Sequence, residues 1–153
     1  MMDEKYMQLA LDLAKQSYLD GEVPVGAVIV QNDKVVGCGR NMRETKNNAL
    51  SHAEIEAINQ ACKTLGSWRL SDCEMYVTLE PCPMCAGAII NSRIKTVYYG
   101  ADDEKAGSVW SVISMFELPY NHTPNVKSGV LADESEKLLT DFFANIRNTN
   151  KTT

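Results

Sequence analysis

Four side chains in two short segments have the types and spacing of a hydrolytic metal site. His52 and Glu54 are two residues apart, and Cys82 and Cys85 follow in the segment Pro-Cys-Pro-Met-Cys that begins at Pro81. Imidazole and thiolate are donors that zinc favours, and three protein ligands leave the fourth tetrahedral position to water. Zinc in such an open site lowers the pKa of the water to near neutrality. The pattern predicts His52, Cys82 and Cys85 as ligands and Glu54 as an uncommitted, proton-transferring carboxylate.

The segment 51–54, Ser-His-Ala-Glu, also has a purely structural interpretation. Ser-x-x-Glu ahead of a helix is a capping box, in which Glu54 would only tie down the helix start and His52 would have no chemical role. A capping box by itself does not explain a Cys-x-x-Cys thirty residues later, between a predicted strand and a predicted helix. The two segments together therefore favour the metal site.

A closed, structural zinc site remains an alternative, because the chain holds further donors. These are His122, Cys38, Cys62 and Cys73, none of which lies in a paired ligand spacing. We expect the three cysteines to be small buried side chains. If Cys73 or another side chain completed the coordination, the chain would be a non-catalytic zinc module.

Composition is typical of a small globular enzyme. The chain has 153 residues, a net charge of −5 and five cysteines. Its length predicts one domain, residues 1–153, with a core that needs no disulfides. It contains no long apolar run to act as a signal or membrane span, so we expect a cytoplasmic protein without membrane contact. No pattern for an organic cofactor is present.

Hydrophobic periodicity predicts strands interleaved with helices. The Asn32-Asp33 pair predicts a tight hairpin turn, and residues 74–100 have the length and order of a parallel strand–helix–strand crossover. The fold class is therefore α/β, a three-layer α/β/α sandwich with a mixed five-stranded sheet. The expected elements are helices near 6–17, 51–65, 82–91 and 109–116 and from 133, and strands near 26–30, 34–37, 74–79, 95–100 and 126–131.

Beyond these patterns, the chain resembles the bacterial tRNA-specific adenosine deaminases of the cytidine-deaminase-like superfamily. The His-x-Glu and Pro-Cys-x-x-Cys signature marks the superfamily, and the flanking segments point to the tRNA branch. The matching segments are 21–28, 40–41, 52–54, 66–70, 79–88, 92–94, 99–101 and 121–122.

The resemblance implies hydrolysis of adenosine to inosine at the wobble position of a tRNA, the arginine acceptor with an ACG anticodon. It implies one Zn²⁺ per subunit, a homodimer and binding of the anticodon stem-loop. Glu54 would pass a proton from water to N1 of adenine. Asn41 would hydrogen-bond the flipped base, Val25 would line its pocket, and Asp103 and Lys105 would lie on a loop that holds the anticodon nucleotides. From sequence alone, Asn41 is equally a turn residue and Lys105 a solvated charge.

The net charge of −5 has the wrong sign for binding phosphates. A local basic rim is one solution, formed from Arg40, Arg43 and Lys46, with Arg69, Arg93, Lys95 and Lys105 elsewhere. The other solution is a different substrate, because free guanine or cytosine deaminases carry the same zinc motif. The sequence leaves both substrate classes open.

Overall fold

The computed structural model describes residues 2–152, and side chains for residues 2–148. The described residues form four helices and five strands, with one short 3₁₀ turn between the last two strands. The helices are α1 Glu4–Leu19, α2 Ala53–Leu65, α3 Pro83–Ser92 and α4 Ala132–Thr152; the strands are β1 Gly26–Gln31, β2 Lys34–Arg40, β3 Glu74–Leu79, β4 Thr96–Ala101 and β5 Asn125–Lys127.

The strands form one mixed sheet in the order β2-β1-β3-β4-β5. The strand β1 pairs antiparallel with both β2 and β3, while β3–β4 and β4–β5 are parallel. Asn32 and Asp33 join β1 to β2 with φ angles of 50° and 61°. Two successive positive φ angles make the tight turn that suits twisted antiparallel strands. The predicted hairpin, crossover and mixed sheet are confirmed.

Helices cover both faces of the sheet. On one face, apolar side chains of α2 and α3 pack with Ala27, Met75 and Val97 in the larger core. On the other face, α1 packs with Val28 and Tyr76 in a second core. This arrangement is the three-layer α/β/α sandwich that the pattern predicts. It brings the starts of α2 and α3 to the same side of the sheet, where they carry the candidate ligands.

One predicted element is wrong, and another is shorter than predicted. Residues 109–116 form turns, with a 3₁₀ helix only at Met115–Glu117. The backbone N–H groups of Val109, Trp110 and Ser111 donate to the buried carboxylate of Glu80, which replaces the bonds of a regular helix. The strand predicted over 126–131 ends at Lys127, and Gly129 follows with a φ of 80°.

Within the described residues, no helix is both long enough and apolar enough to cross a lipid bilayer.

Candidate active site

Two helix starts bring the three predicted ligands together. His52 is the N-cap of α2 and Cys82 the N-cap of α3, both with extended backbone, and Cys85 lies in the first turn of α3. Pro83 opens α3, where a missing N–H costs nothing. Nδ1 of His52 lies 3.6 Å from Sγ of Cys82 and 3.6 Å from Sγ of Cys85. The three donor atoms lie within 4.8 Å of one another, a spacing that suits one metal ion.

The helix start at 51–54 is not a capping box. His52, and not Ser51, occupies the N-cap of α2, and no side chain hydrogen-bonds the free N–H groups there. Glu54 is buried, with 4% of its surface exposed, and it lines the same cavity as His52 and Cys82. The carboxyl therefore lies beside the donor group, where it meets the Cys85 thiol and its own backbone N–H.

The electrostatics of the group favour one thiolate beside a proton-accepting carboxyl. The pKa of Cys82 is lowered to about 4, because the thiol of Cys85 and then the imidazole of His52 donate hydrogen bonds to it. Burial raises the pKa of Glu54 to about 7, and the nearby Cys82 thiolate also raises it. At neutral pH Glu54 can thus both accept and release a proton.

A cavity of about 210 Å³ opens over these groups. Two predicted substrate contacts, Val25 and Asn41, belong to its wall, and Val25 supplies an apolar surface. Asn41 is buried; its Nδ2 donates to the Val23 carbonyl at 3.0 Å, and its Oδ1 accepts from Arg43 N–H at 3.1 Å. An amide has two N–H donors and two lone pairs, so one donor and one acceptor remain for a ligand. Asn41 is therefore both a turn residue and a cavity residue.

The loop after β4 contributes the opposite wall. Asp103 lines the cavity, and its Oδ1 accepts from the backbone N–H groups of Lys105 and Ala106. Lys105 is exposed and lines a different groove, between this loop and α4. The structure thus brings Val25, Asn41 and Asp103 to the cavity with the donor group, while Lys105 stands outside its wall.

The comparisons with known proteins agree with this geometry. The sequence model of the MafB19-like deaminase family matches residues 1–147. A tRNA-specific adenosine deaminase from Bacillus subtilis is 45% identical over 150 residues, which cover 97% of this chain and 93% of the relative. A structure from a study of A-to-I editing by tRNA:A34 deaminases superposes with a TM-score of 0.87 at 43% identity, covering 90% of this chain and 100% of that chain. The chain belongs to the tRNA-specific adenosine deaminase family.

The deaminase also resembles enzymes of free-base metabolism. A guanine deaminase from Bacillus subtilis superposes with a TM-score of 0.65 and is 33% identical, covering 97% of this chain and 95% of that chain. The fold and donor group therefore do not by themselves distinguish an RNA substrate from a free base.

No fourth protein ligand from the described part of the chain completes the donor group. Among the side chains described, His52, Cys82 and Cys85 are the only cluster of three or more His, Cys, Asp or Glu donors suited to a metal. Cys73 is fully buried in the larger core, where burial raises its thiol pKa to about 11. His122 contacts the Ile94 carbonyl at 2.7 Å through Nε2. The described side chains thus offer three donors at one point, and none of the others completes a closed structural zinc site.

Sequence reasoning missed two buried carboxylates that hold the cavity walls. Glu80 accepts from the N–H groups of Asp103, Val109, Trp110 and Ser111 and from the Ser111 hydroxyl. Glu22 accepts from the N–H groups of Glu44 and Thr45, on the loop that follows Asn41. Periodicity carries no signal for either role. The one hint in the sequence is that Glu80 lies between a strand and the Pro-Cys segment.

The first part of the predicted basic rim is neutralised. Arg40 pairs with Asp20 at 2.8 Å, Arg43 approaches Glu44 at 3.8 Å, and Lys46 pairs with Glu56 at 2.9 Å. Arg43 nevertheless lines the cavity mouth. The positive charge near this mouth is therefore largely matched by neighbouring acids.

Proposed function

We propose that this deaminase hydrolyses adenosine to inosine at the wobble position of a tRNA, in a single zinc-dependent domain of residues 1–153. The observation that carries the proposal is the open His52–Cys82–Cys85 donor group beside the buried carboxylate of Glu54, in a cavity of about 210 Å³. The relatives named as tRNA-specific adenosine deaminases supply the substrate class. An arginine tRNA with an ACG anticodon is the specific substrate we propose.

Zinc fits the donor group, and we propose one Zn²⁺ per chain. Bonds of about 2.05 Å to nitrogen and about 2.3 Å to sulfur, arranged as a tetrahedron, separate those two donors by roughly 3.6 Å. Both observed distances from Nδ1 of His52 to a thiol sulfur are 3.6 Å. When bound, zinc would supply a Lewis acid that makes water acidic near neutral pH.

Glu54 carries out the proton transfers of the reaction. Its carboxylate takes a proton from the attacking water and delivers it to N1 of adenine as the water oxygen adds to C6. It then moves the remaining hydroxyl proton to the amino group, the bond from C6 to that nitrogen breaks, and ammonia leaves. Adenosine and water become inosine and ammonia, and Glu54 returns to its starting state. The raised pKa of Glu54, about 7, suits both transfers.

The cavity walls recognise the base and its neighbours. The spare donor and acceptor of Asn41 hydrogen-bond the flipped base, and Val25 packs against its face. Asp103, at the cavity edge, and the exposed Lys105 hold flanking anticodon nucleotides. This assignment is supported by the lining of the cavity for Asn41, Val25 and Asp103, and by the family resemblance alone for Lys105.

We propose that the enzyme is a cytoplasmic homodimer. A groove beside α3 includes the apolar residues Leu50, Met84, Met115 and Tyr120, together with Asn91, Arg93 and Asn121. Leu50 and Tyr120 are 58% and 52% exposed. Exposed apolar surface of this kind marks a protein interface, and a second copy would cover it. All five cysteines are unpaired, which suits a reducing compartment.

Deamination of a free base is the second candidate function, favoured by the likeness to a guanine deaminase. The experiment is to incubate zinc-loaded protein separately with ACG-anticodon arginine tRNA, guanine, cytosine and adenosine, and to measure ammonia and wobble inosine. We expect turnover of the tRNA alone. Ammonia from guanine or cytosine with unchanged tRNA would replace the proposal with a role in base metabolism.

A further inference from the structure

A groove at the far end of α3 from the donor group has an unusual lining. Seven residues form it, and we call it the basic groove: Arg69, Ser71, Arg93, Lys95, His122, Thr123 and Asn125. Every one of these side chains contains a hydrogen-bond donor, and none is a carboxylate or an apolar group. In a chain with a net charge of −5, this concentration of donors needs a separate explanation.

The cations of the basic groove differ from the other basic residues near the cavity. Arg40 and Lys46 each lie within 3 Å of an acidic oxygen. Within the described part of the chain, Arg69, Arg93 and Lys95 have no carboxylate within the 4.0 Å of an ion pair. Arg93 also lines the groove beside α3 that we propose a second copy covers, so Arg69 and Lys95 are the two cations outside that contact. Unmatched positive charge in a concave surface attracts a polyanion.

An aromatic platform and fixed donors complete the groove. Trp68 is 54% exposed, and the guanidinium groups of Arg69 and Arg93 lie 4.5 Å and 5.8 Å from its ring centre. Nη1 of Arg93 donates to the carbonyls of Ile90 and Asn91, which holds the rest of the guanidinium in place. Guanidinium groups so fixed suit phosphate, which they bind through two parallel N–H donors.

The groove also accounts for sequence segments that the chemistry leaves unused. The segments 66–70, 92–94 and 121–122 carry part of the family resemblance but lie outside the donor group. The structure joins them: the Leu70 N–H donates to the Ser92 carbonyl at 2.8 Å, and His122 contacts the Ile94 carbonyl at 2.7 Å. Because a carbonyl only accepts, Nε2 of His122 carries the proton of that contact.

We propose that the basic groove binds the phosphate backbone of the RNA substrate away from the reacting base. Cys82 and Arg93 cap opposite ends of the ten-residue helix α3, so about 15 Å separates the groove from the donor group. At that distance the groove touches the RNA stem and not the flipped adenosine. The inference rests on the proposed tRNA substrate and adds the surface that holds it.

The test is a double charge reversal, Arg69→Glu with Lys95→Glu, together with the single reversal Lys95→Glu, for which Lys34→Glu at the β1–β2 turn is the control of equal charge change. A fluorescent RNA stem-loop with an ACG loop serves as the probe, and thermal midpoints verify folding. We expect Kd and KM to rise at least tenfold in the double variant while kcat stays unchanged. The slope of log Kd against log salt should fall by about 1.4–1.8, because each of the two phosphate contacts contributes about 0.7–0.9. The single change Lys95→Ala, milder for the fold, should raise Kd threefold or more.

Several outcomes would overturn the inference. RNA affinity equal to wild type, or a loss no larger than that of Lys34→Glu, would remove the phosphate role. Dissociation of a dimer with RNA affinity retained would make the groove a contact for a second copy. If inorganic phosphate binds the groove at constant ionic strength and the RNA stem-loop does not displace it, the groove is a site for a free anion. If RNA binds through the groove but no inosine forms, the proposed function is wrong and the RNA-binding role of the groove is retained.

Discussion

We propose Glu54 as the residue on which proton transfer depends. It is buried beside His52 and Cys82 but is not part of the three-donor cluster. Because Glu54 lies beside the three donors without being one of them, metal binding and proton transfer fall to different residues. A change at Glu54 should therefore affect turnover and leave the metal in place.

We expect Glu54→Gln to lower kcat by about 10²–10⁴, the usual contribution of a positioned acid–base group. Zinc content measured by atomic emission should stay at one per chain. The matched control is Glu56→Gln on the same helix, whose carboxylate pairs with Lys46; its kcat should stay near wild type. Loss of zinc from Glu54→Gln would show that this carboxylate binds the metal.

Glu80 organises a wall of the cavity from beneath. Its carboxylate accepts four backbone N–H groups and one hydroxyl. Glu80→Ala should lower the free energy of unfolding by at least about 3 kcal/mol, because buried donors are left unpaired. KM should rise as Asp103 loses its position. Ser111→Ala, which removes only the hydroxyl donor, should cost about 0.5–1.5 kcal/mol. Equal stability of the two variants in denaturant melts would contradict this role.

At the scale of elements, close packing of α2 on β2 sets the position of His52. A Cβ added at Gly39 would lie 2.4 Å from the Ala53 carbonyl oxygen, and Ala53 is the first residue of α2. Real Cβ atoms do not approach backbone oxygen so closely, so the helix start would have to move. The absence of a side chain at Gly39 therefore determines where the imidazole lies.

Gly39→Ala should weaken zinc binding as well as folding, since the shift carries His52 away from the two thiols. We expect at least a tenfold loss of zinc affinity in chelator competition, with a lower thermal midpoint. Val35→Ala, at an exposed position of the same strand, is the control and should keep both properties. Normal zinc affinity in Gly39→Ala would mean that α2 tolerates displacement from β2.

Elements with strong periodicity and turn signals could be predicted from the sequence, and long-range contacts could not. The hairpin at Asn32 and Asp33 follows from residue type, and the crossover follows from length and order. The helix predicted at 109–116 fails because Glu80, about thirty residues away, takes the N–H groups that a helix would use. No local window contains that information.

The same distinction applies to the site. The donor types and spacing predict the three donors that the structure brings together, but helical spacing does not explain how His52 and Glu54, two residues apart, reach one cavity. The explanation is that His52 is an N-cap with extended backbone, outside the helix that begins at Ala53. The sequence also pointed to Arg69, Arg93 and Lys95 as basic residues, but it could not show that they meet in one groove, because the residues of that groove come from three separate segments.

At the scale of the whole molecule, the distribution of charge matters more than its sum. The chain has a net charge of −5 and yet carries a groove of unmatched cations. Some of its carboxylates are buried and hydrogen-bond the backbone. Glu22 is one of these: burial alone would raise its pKa, but the N–H groups of Thr45 and Glu44 and the charge of Arg43 hold it below the usual 4.5. Folding therefore favours the ionised form of Glu22.

This linkage predicts how stability depends on pH. A folded-state pKa below the unfolded value gives stability that is fully present above about pH 4.5 and is lost as the pH falls through the lowered pKa. Glu22→Gln should therefore be less stable than wild type at pH 7, by about 1–3 kcal/mol, with the difference shrinking below pH 4.5. Denaturant melts of metal-free protein measure this, with the exposed Glu4→Gln as control. A difference independent of pH would contradict it.

The most direct test of the central claim is tRNA deamination in water enriched in ¹⁸O, followed by mass spectrometry of the wobble nucleotide. Zinc-loaded wild type, metal-free wild type and Glu54→Gln would be compared on ACG-anticodon arginine tRNA. We expect the zinc-loaded wild type to give inosine with one solvent-derived oxygen at the wobble position and one ammonia per inosine, at a rate at least about a hundredfold above that of Glu54→Gln. Unchanged adenosine in that sample, or inosine without solvent oxygen, would contradict it.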